Sequence, residues 1–486
     1  MKRTDVIALA SVVALFVAVC AAIGPIHPDR SFVVFRYAEN VAAGHGPAYN
    51  PGDAPSEGYG GALWLLLCAL AAKVGLGLPA TAWLLSLACG VAALAVLWTG
   101  LRARARLTAS LVVSGLAAAS GPLAVAAMSG EGAALNALLA VAVFSLLDRA
   151  GAGRARWIAA AVAGALLATC GNTLGLVFPV ALAIRVCAAR GGTTPRAGVA
   201  PASAVFLAGV VAFHAWRLRT FGSLVARAPG LEAGRASFAD LFVAQPYDMA
   251  PFGLFYVILL VVACAGVAAS RERATGWLAL GAAIAAGMAT LATRDPLPGL
   301  AGSAALVILL AIPVAHLVDV VPRGNRARAL DAVVIASLLV ASVGWAMDLR
   351  VFARHIRDSH DATLAPLGKW MEQWRSDGSL LCDTPGAVPY YSRWRTTLIA
   401  RDVPLAEAPD VVMVTSQGQF VADMDDEQTR VAHALADRYR VLAAIRRDWT
   451  RDRALILYAR NDIPELTDSV MIAFPQGIGT VVRLNR

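Results

Sequence analysis

Charge is scarce in this chain. Only 15% of its 486 residues are charged, 58% are hydrophobic, and the mean hydropathy is +0.63; soluble domains carry about 25% charged residues. Lysine is nearly absent, so the basic charge is almost all arginine. There is no CxxC and no His/Cys cluster, which argues against a zinc site. Of the seven cysteines, only Cys382 falls in the polar C-terminal region, so that region cannot hold an internal disulfide; the others lie in or beside apolar segments and read as small packed hydrophobes. No P-loop, GxGxxG, HExxH or Ser-His-Asp pattern with supporting context occurs. Internal repeats and charged residues at mid-membrane depth are also missing, which disfavours a transporter or flippase.

What the chain does have is apolar length. Several runs of 17 or more apolar residues lie between 5 and 347, each long enough to cross a ~30 Å hydrocarbon core as a helix. This predicts a polytopic α-helical membrane protein. Segment 5–26, after Met1-Lys2-Arg3, reads as an uncleaved first span rather than a signal peptide, because the chain re-enters the membrane repeatedly. The net charge of +9 could suggest nucleic acid. Its placement argues otherwise: arginines gather in short loops between apolar runs, the mark of the cytoplasmic side.

With Lys2 and Arg3 inside, the groups at Arg102, Arg104 and Arg106, at Arg149, Arg154 and Arg156, at Arg185, Arg190 and Arg196, at Arg271 and Arg273, and at Arg323, Arg326 and Arg328 are also cytoplasmic. Spans are expected near 107–127, 131–148, 156–172, 173–189, 200–216, 251–269, 275–293, 300–319 and 329–347. Residues 61–102 are long enough for two spans, but the charge rule requires an odd number, so one half is expected to be short, re-entrant or interfacial. The total is about 11 spans, with 10 to 13 tolerated, over residues 1–349. The loop 27–60 and the turns at 128–132, 170–175, 216–222 and 294–299 then share the outer face. Residues 350–486 read as a small extracytoplasmic α/β domain. "DGSLLCDTPGAVPYYS" suggests a strand and then a turn, "PDVVMVTS" (409–416) and "ALILYAR" (454–460) suggest strands, and 425–438 has helical spacing. The setting implied is a bacterial inner membrane, with the N-terminus cytoplasmic.

The first outer loop contains "DRSFVVFRYAEN" (29–40), "GHGPAYNPGD" (44–53) and "SEGY" (56–59). It resembles the first outer loop of one branch of the GT-C glycosyltransferases, which includes the terminal arabinofuranosyltransferases of the mycobacterial cell wall. "SGEGAALNALL" (129–139), "RLRTFGSLV" (217–225), "RDPLPG" (294–299) and "DTPGAVPYYS" (383–392) resemble further elements of that branch, in order, over most of the chain. The resemblance implies transfer of a sugar from a polyprenyl-phosphate donor to an envelope glycan, glycolipid or protein. The sequence departs from the pattern at four charged features. Asp29-Arg30 stands where two adjacent acids are usual. The Glu after S-G-x falls on Gly132, with Glu131 one position earlier. "GNTLG" (171–175) lacks a paired Arg and Glu, and an Arg position falls near Ala301. These losses favour the alternative, a non-catalytic relative that binds a lipid-linked sugar or assists a partner.

Such a transfer needs one carboxylate as general base and positive charge for the departing phosphate. No ATP site is needed, because the donor already carries the bond energy. Asp29, just beyond the first span, is the expected base; the structural alternative is an acid favoured by the dipole at a helix start. Glu57, Glu131 and Asp295 are further carboxylates expected to contact substrate. Arg30 either contacts the phosphate or disables a two-acid metal arrangement, Arg217 and Arg219 are either phosphate contacts or interface anchors, and Arg36 is either a phosphate contact or a packed, snorkelling side chain. His45, Tyr49, Asn50 and Tyr59 are expected near sugar hydroxyls. No cofactor is assigned from the sequence. A divalent cation is compatible with the chemistry, but no metal ligands are assigned. The loop is expected to roof a cavity between spans.

Overall fold

The computed structural model describes residues 2–148, 153–170, 174–188, 196–224, 304–320, 360–398, 409–416, 438–446 and 454–463, with scattered positions in 259–283 and 349–357. Helix α1 (Arg3–Ile23) leads into α2 (Asp29–Ala42). Then follow α3 (Ala62–Lys73), α4 (Leu78–Arg102), α5 (Leu107–Ala119), α6 (Gly121–Met128), α7 (Ala133–Asp148), α8 (Arg154–Cys170), α9 (Val177–Ala188), α10 (Arg196–Phe221) and α11 (Ala304–Val320). Helices α1, α4 and residues 198–221 of α10 are long and apolar enough to cross a membrane. Helices α5 and α6 are together long and apolar enough to cross a membrane but are bent by 52° at Ser120, either a broken span or a re-entrant loop, with Pro122 in the first turn of the second half. The expected spans at 251–269 and 275–293, apart from the scattered positions in 259–283, and at 329–347 lie outside the described residues.

The ambiguous stretch 61–102 divides unequally. The 12 residues of α3 reach about 18 Å at 1.5 Å per residue, short of the hydrocarbon core. The 25 residues of α4 are enough. Helices pack α4 on α7, α7 on α8 and α8 on α10, with α11 against α5 and α7. Small residues allow the close crossings: a Cβ on Gly164 would lie 2.5 Å from Phe178 Cβ, and one on Gly198 2.3 Å from Trp157 Cδ1.

The two ends of the bundle differ. At one end Arg102 pairs with Asp5 (3.0 Å) and Arg104 with Asp148 (2.8 Å), so the N-terminus and Arg-rich segments lie together. The other end carries the α/β domain. Helix α12 (Ala365–Trp374) precedes β1 (Ser379–Cys382), α13 (Ala387–Ser392), β2 (Arg395–Leu398), β3 (Val411–Ser416), β4 (Tyr439–Arg446) and β5 (Ala454–Arg460). The strand order is β2-β1-β3-β5-β4; β1 is parallel to β2 and β3, and the β3/β5 and β4/β5 pairs are antiparallel. Alternation divides its residues. Leu380, Cys382, Val411 and Met413 join the main core, and Leu381, Val412, Val414, Ile456 and Tyr458 form a second cluster.

Strands at 379–382, 411–416 and 454–460 match expectation. The stretch after β1, expected as a turn, becomes helix α13, and β2 and β4 were not anticipated. The helix expected at 425–438 lies outside the described residues, apart from Arg438.

Candidate active site

The site is built around α2. Pro28 enters it extended (φ −56°, ψ 149°), the Ser31 amide donates to Pro28 O at 2.8 Å, and Asp29 is the acid of the first turn. Although only a 14-residue juxtamembrane helix, α2 buries Ser31 to Ala38 and Asn40. Phe32 stacks on His360 (4.7 Å) and, with Phe35, meets Tyr390 of α13 (5.4 and 6.1 Å); Phe32 also meets Tyr391 (5.4 Å). Tyr37 faces the loop rings of Tyr49 (5.8 Å) and Tyr59 (5.3 Å). The loop lies between the bundle and the α/β domain, because its aromatic helix requires cover on more than one face.

Asp29 Oδ1 accepts the Ala387 amide at 2.7 Å. Beside it, a Cβ placed on Gly386 would lie 2.1 Å from Asp29 O and 2.3 Å from its Oδ2, so only glycine permits this approach. Arg30, next along, is half-buried.

Arg36, read from the sequence as a phosphate contact or a packed side chain, is packed in this arrangement. It is 6% exposed and its guanidinium makes four hydrogen bonds. Nε donates to Tyr49 O (2.8 Å), Nη1 to Pro389 O (2.5 Å), and Nη2 to Asn50 Oδ1 and Trp394 O (both 2.7 Å), while the guanidinium stands 4.6 Å from the Tyr49 ring centroid. Tyr49 and Asn50 are buried with it. The Tyr49 hydroxyl donates to Pro385 O (2.5 Å). Asn50 donates to Asp53 and Thr396 O and accepts from the Thr396 amide. In this arrangement the polar groups of these two residues, expected near sugar hydroxyls, fasten the loop to β2 and to the turn before α13. His45 is separate from them, exposed at the loop tip between Gly44 and Gly46, whose φ values are +86° and +80°.

Glu57 and Arg217 meet at 2.7 Å, with side chains 10% and 2% exposed. Arg219, two residues along the same helix, is exposed, because 200° of helical turn separates the pair. Tyr59 lies beside Glu57 and Arg217, its hydroxyl buried without a hydrogen-bond partner among the described residues. Burial first, and then the Glu57 charge, push its phenol well above the usual range.

The turn 128–132 is held against the same assembly. The Ile26 amide donates to Met128 O (2.9 Å), Ser31 Oγ to Ser129 O (3.0 Å) and Trp64 Nε1 to Gly130 O (3.0 Å). Glu131 is half-buried, its amide 3.4 Å from Ser129 Oγ. Gly132 has φ +85°, and a Cβ there would lie 2.6 Å from Trp64 Cγ. A glutamate at 132 would not fit this packing, which accounts for that departure from the motif. Asp295 lies outside the described residues.

Elements expected on the outer face thus converge: Asp29, Ser31, Glu57, Tyr59, Arg217 and the 128–132 turn share one end of the bundle. A small cavity lined by Leu97, Arg104, Phe144, Ser145 and Asp148 belongs to the opposite end. Among the described residues, no three His, Cys, Asp or Glu side chains gather as a metal set. Sequence reasoning missed Gly386, Ala387, Trp394 and the Glu39–Tyr390 hydroxyl bond (2.9 Å). The one signal for the first two was "DTPGAVPYYS", already quoted.

No family model matches the sequence, and no curated protein matches it either. Solved structures do match. ArnT from Cupriavidus metallidurans bound to undecaprenyl phosphate is 16% identical, with a TM-score of 0.60 over 97% of this chain and 99% of that one. The arabinofuranosyltransferase AftD from Mycobacteria is also 16% identical, with a TM-score of 0.53 over 95% of this chain and 40% of AftD. The Archaeoglobus fulgidus oligosaccharyltransferase is 14% identical, with a TM-score of 0.58, over 91% and 70%. This is the GT-C fold. The match to ArnT runs nearly end to end in both chains, so the fold includes the C-terminal α/β domain as well as the bundle.

Proposed function

We propose that this GT-C chain is a membrane glycosyltransferase. It moves a hexosyl or pentosyl group from a polyprenyl-phosphate donor to an envelope glycan, glycolipid or protein on the extracytoplasmic side of a bacterial inner membrane. The observation that carries this reading is the end-to-end likeness to a protein crystallised with undecaprenyl phosphate, together with an acid, Asp29, at the start of α2. In this reading residues 1–349 are the membrane part and 350–486 the outer domain.

Asp29 is the general base. Its bond to Ala387 occupies one of about four lone-pair sites, leaving capacity to take the acceptor hydroxyl proton. As that proton leaves, the acceptor oxygen attacks the anomeric carbon. The bond to the phosphate oxygen breaks and polyprenyl phosphate departs with the electron pair. Arg30, beside the base, and Arg219, exposed at the end of α10, supply positive charge for the phosphate. Arg217 acts with Glu57 as a buried pair that shapes the wall, and Glu131, Asp295, Tyr59 and His45 remain candidate contacts. A divalent cation bound with the donor would add Lewis-acid stabilisation.

A second reading, a non-catalytic relative that binds the lipid-linked sugar, is favoured by one observation: Asp29 and Arg36 both hold the α/β domain in place. The test is the purified protein in lipid with a panel of polyprenyl-phospho-sugars. Transfer by the unaltered chain and none by Asp29→Asn supports the first reading. Tight donor binding without transfer supports the second.

A further inference from the structure

We propose that the C-terminal domain is a working part of the transfer site, and that Gly386 and Ala387 are positioning residues for the Asp29 carboxylate. The inference rests on reading Asp29 as the base.

Asp29 and Ala387 are 358 positions apart and meet at 2.7 Å. The contact is fixed on several sides. Upstream of it, Pro385 O accepts from the Tyr49 hydroxyl; downstream, Pro389 O accepts from Arg36, and the Tyr390 hydroxyl donates to Glu39. Each of these partners belongs to α2 or its loop. The segment 385–390 is thus fastened along α2, and the Ala387 amide has one place to point.

Docking alone does not require the carboxylate. The Arg36 fork, the Tyr49 and Tyr390 hydroxyls and the Phe32–Tyr390–Tyr391 rings already join the two parts. What the amide adds is orientation. With Oδ1 tied to Ala387, χ1 and χ2 of Asp29 are restrained and Oδ2 has a defined direction. Gly386 is the element that lets the backbone come this near, since its Cβ would overlap the Asp29 carboxyl carbon and Oδ2. A base must be held near its productive geometry, and a shift of about 1 Å can cost up to 10²-fold in rate. The domain is therefore more than a cover.

The test compares the unaltered protein with Gly386→Ala, Ala387→Pro and Tyr390→Phe, in vesicles containing a polyprenyl-phospho-sugar that supports transfer. Gly386→Ala pushes the carboxylate away. Ala387→Pro removes the amide donor at a first helical position, where proline is tolerated. Tyr390→Phe removes a docking bond and leaves the Asp29 contact untouched. Expected for the first two is a fall in kcat of about tenfold or more, an unchanged donor KM and a displaced acidic limb of the pH–rate profile. Tyr390→Phe keeps the limb in place. Unchanged kcat and pH profile in Gly386→Ala and Ala387→Pro overturns the inference, as does an equal displacement in Tyr390→Phe. Transfer that survives Asp29→Asn removes the base and with it the positioning role. No transfer by the unaltered chain removes the transferase reading itself and this inference with it.

Discussion

Replacing Arg36 with Met should undock the C-terminal domain from the loop while leaving the bundle folded. Arg36 makes four bonds to uncharged acceptors, on both sides of the junction. Hydrogen bonds to a charged group contribute about 1.5–3 kcal/mol each, so a simple sum is roughly 6–12 kcal/mol. That sum overshoots, because the bonds share one cation and water can reach some of the vacated carbonyls. Each buried acceptor left unsatisfied costs about 1–3 kcal/mol; with one or two of the four so left, about 3–5 kcal/mol is the expectation here. At about 1.4 kcal/mol per factor of ten, hydrogen-exchange protection of amides in 387–398 should fall roughly a thousandfold. Amides of α4 and α7 should keep theirs, since sub-global opening need not involve the bundle. Arg36→Lys keeps the charge but not the fork and should fall between. Arg219→Met, on an exposed residue, should change nothing in this assay. Unchanged protection of 387–398 in Arg36→Met would refute the clamp.

Glu57→Gln leaves the Arg217 charge buried without its carboxylate, and should cost about 3–5 kcal/mol in thermal stability. A double-mutant cycle with Arg217→Met should return a coupling well above that of a surface pair, and a coupling near zero would contradict the buried geometry. Gly132→Ala must place a side chain at φ +85° against Trp64, so a loss of about 1–3 kcal/mol is expected; a wild-type melting temperature would contradict it. Burial, and then the nearby His360, lower the His27 pKa from 6.5 to about 4. The unfolded chain therefore binds a proton between these values that the folded chain does not. Stability is fully present above pH 6.5 and is lost as pH falls towards 4, by up to ~3 kcal/mol. His27→Asn should flatten that dependence in pH-resolved unfolding.

The membrane fold was legible because it is written in local composition: apolar runs and arginine-rich loops need no long-range knowledge. Three strands were legible for the same reason, each having a short β-branched or aliphatic run. Strand β2, only Arg395–Leu398, has too little pattern to recognise, and β4 (Tyr439–Arg446) carries two alanines where alternation would be clearest. The first loop stood out in the sequence, and packing was one of two readings for Arg36, yet the clamp it makes was not legible. Its partners Pro389 and Trp394 lie more than 350 positions away, and nothing at 36 marks such a distance. Arg217 and Arg219 read alike in sequence although helical geometry puts them on nearly opposite faces. Gly132 and Gly386 show the reverse. Gly132 stood out only as a missing glutamate and Gly386 not at all; the necessity of each appears only when Trp64 and Asp29 arrive against it.

The central claim is that Asp29 removes a proton while a lipid phosphate leaves. Its most direct measurement is single-turnover release of polyprenyl phosphate, followed by mass spectrometry with purified protein, donor and acceptor in vesicles. The account predicts release by the unaltered protein matched one-for-one by glycosylated acceptor. In Asp29→Asn, which can still accept the Ala387 amide, release should slow by about 10²-fold or more. Equal rates from the two proteins would contradict it.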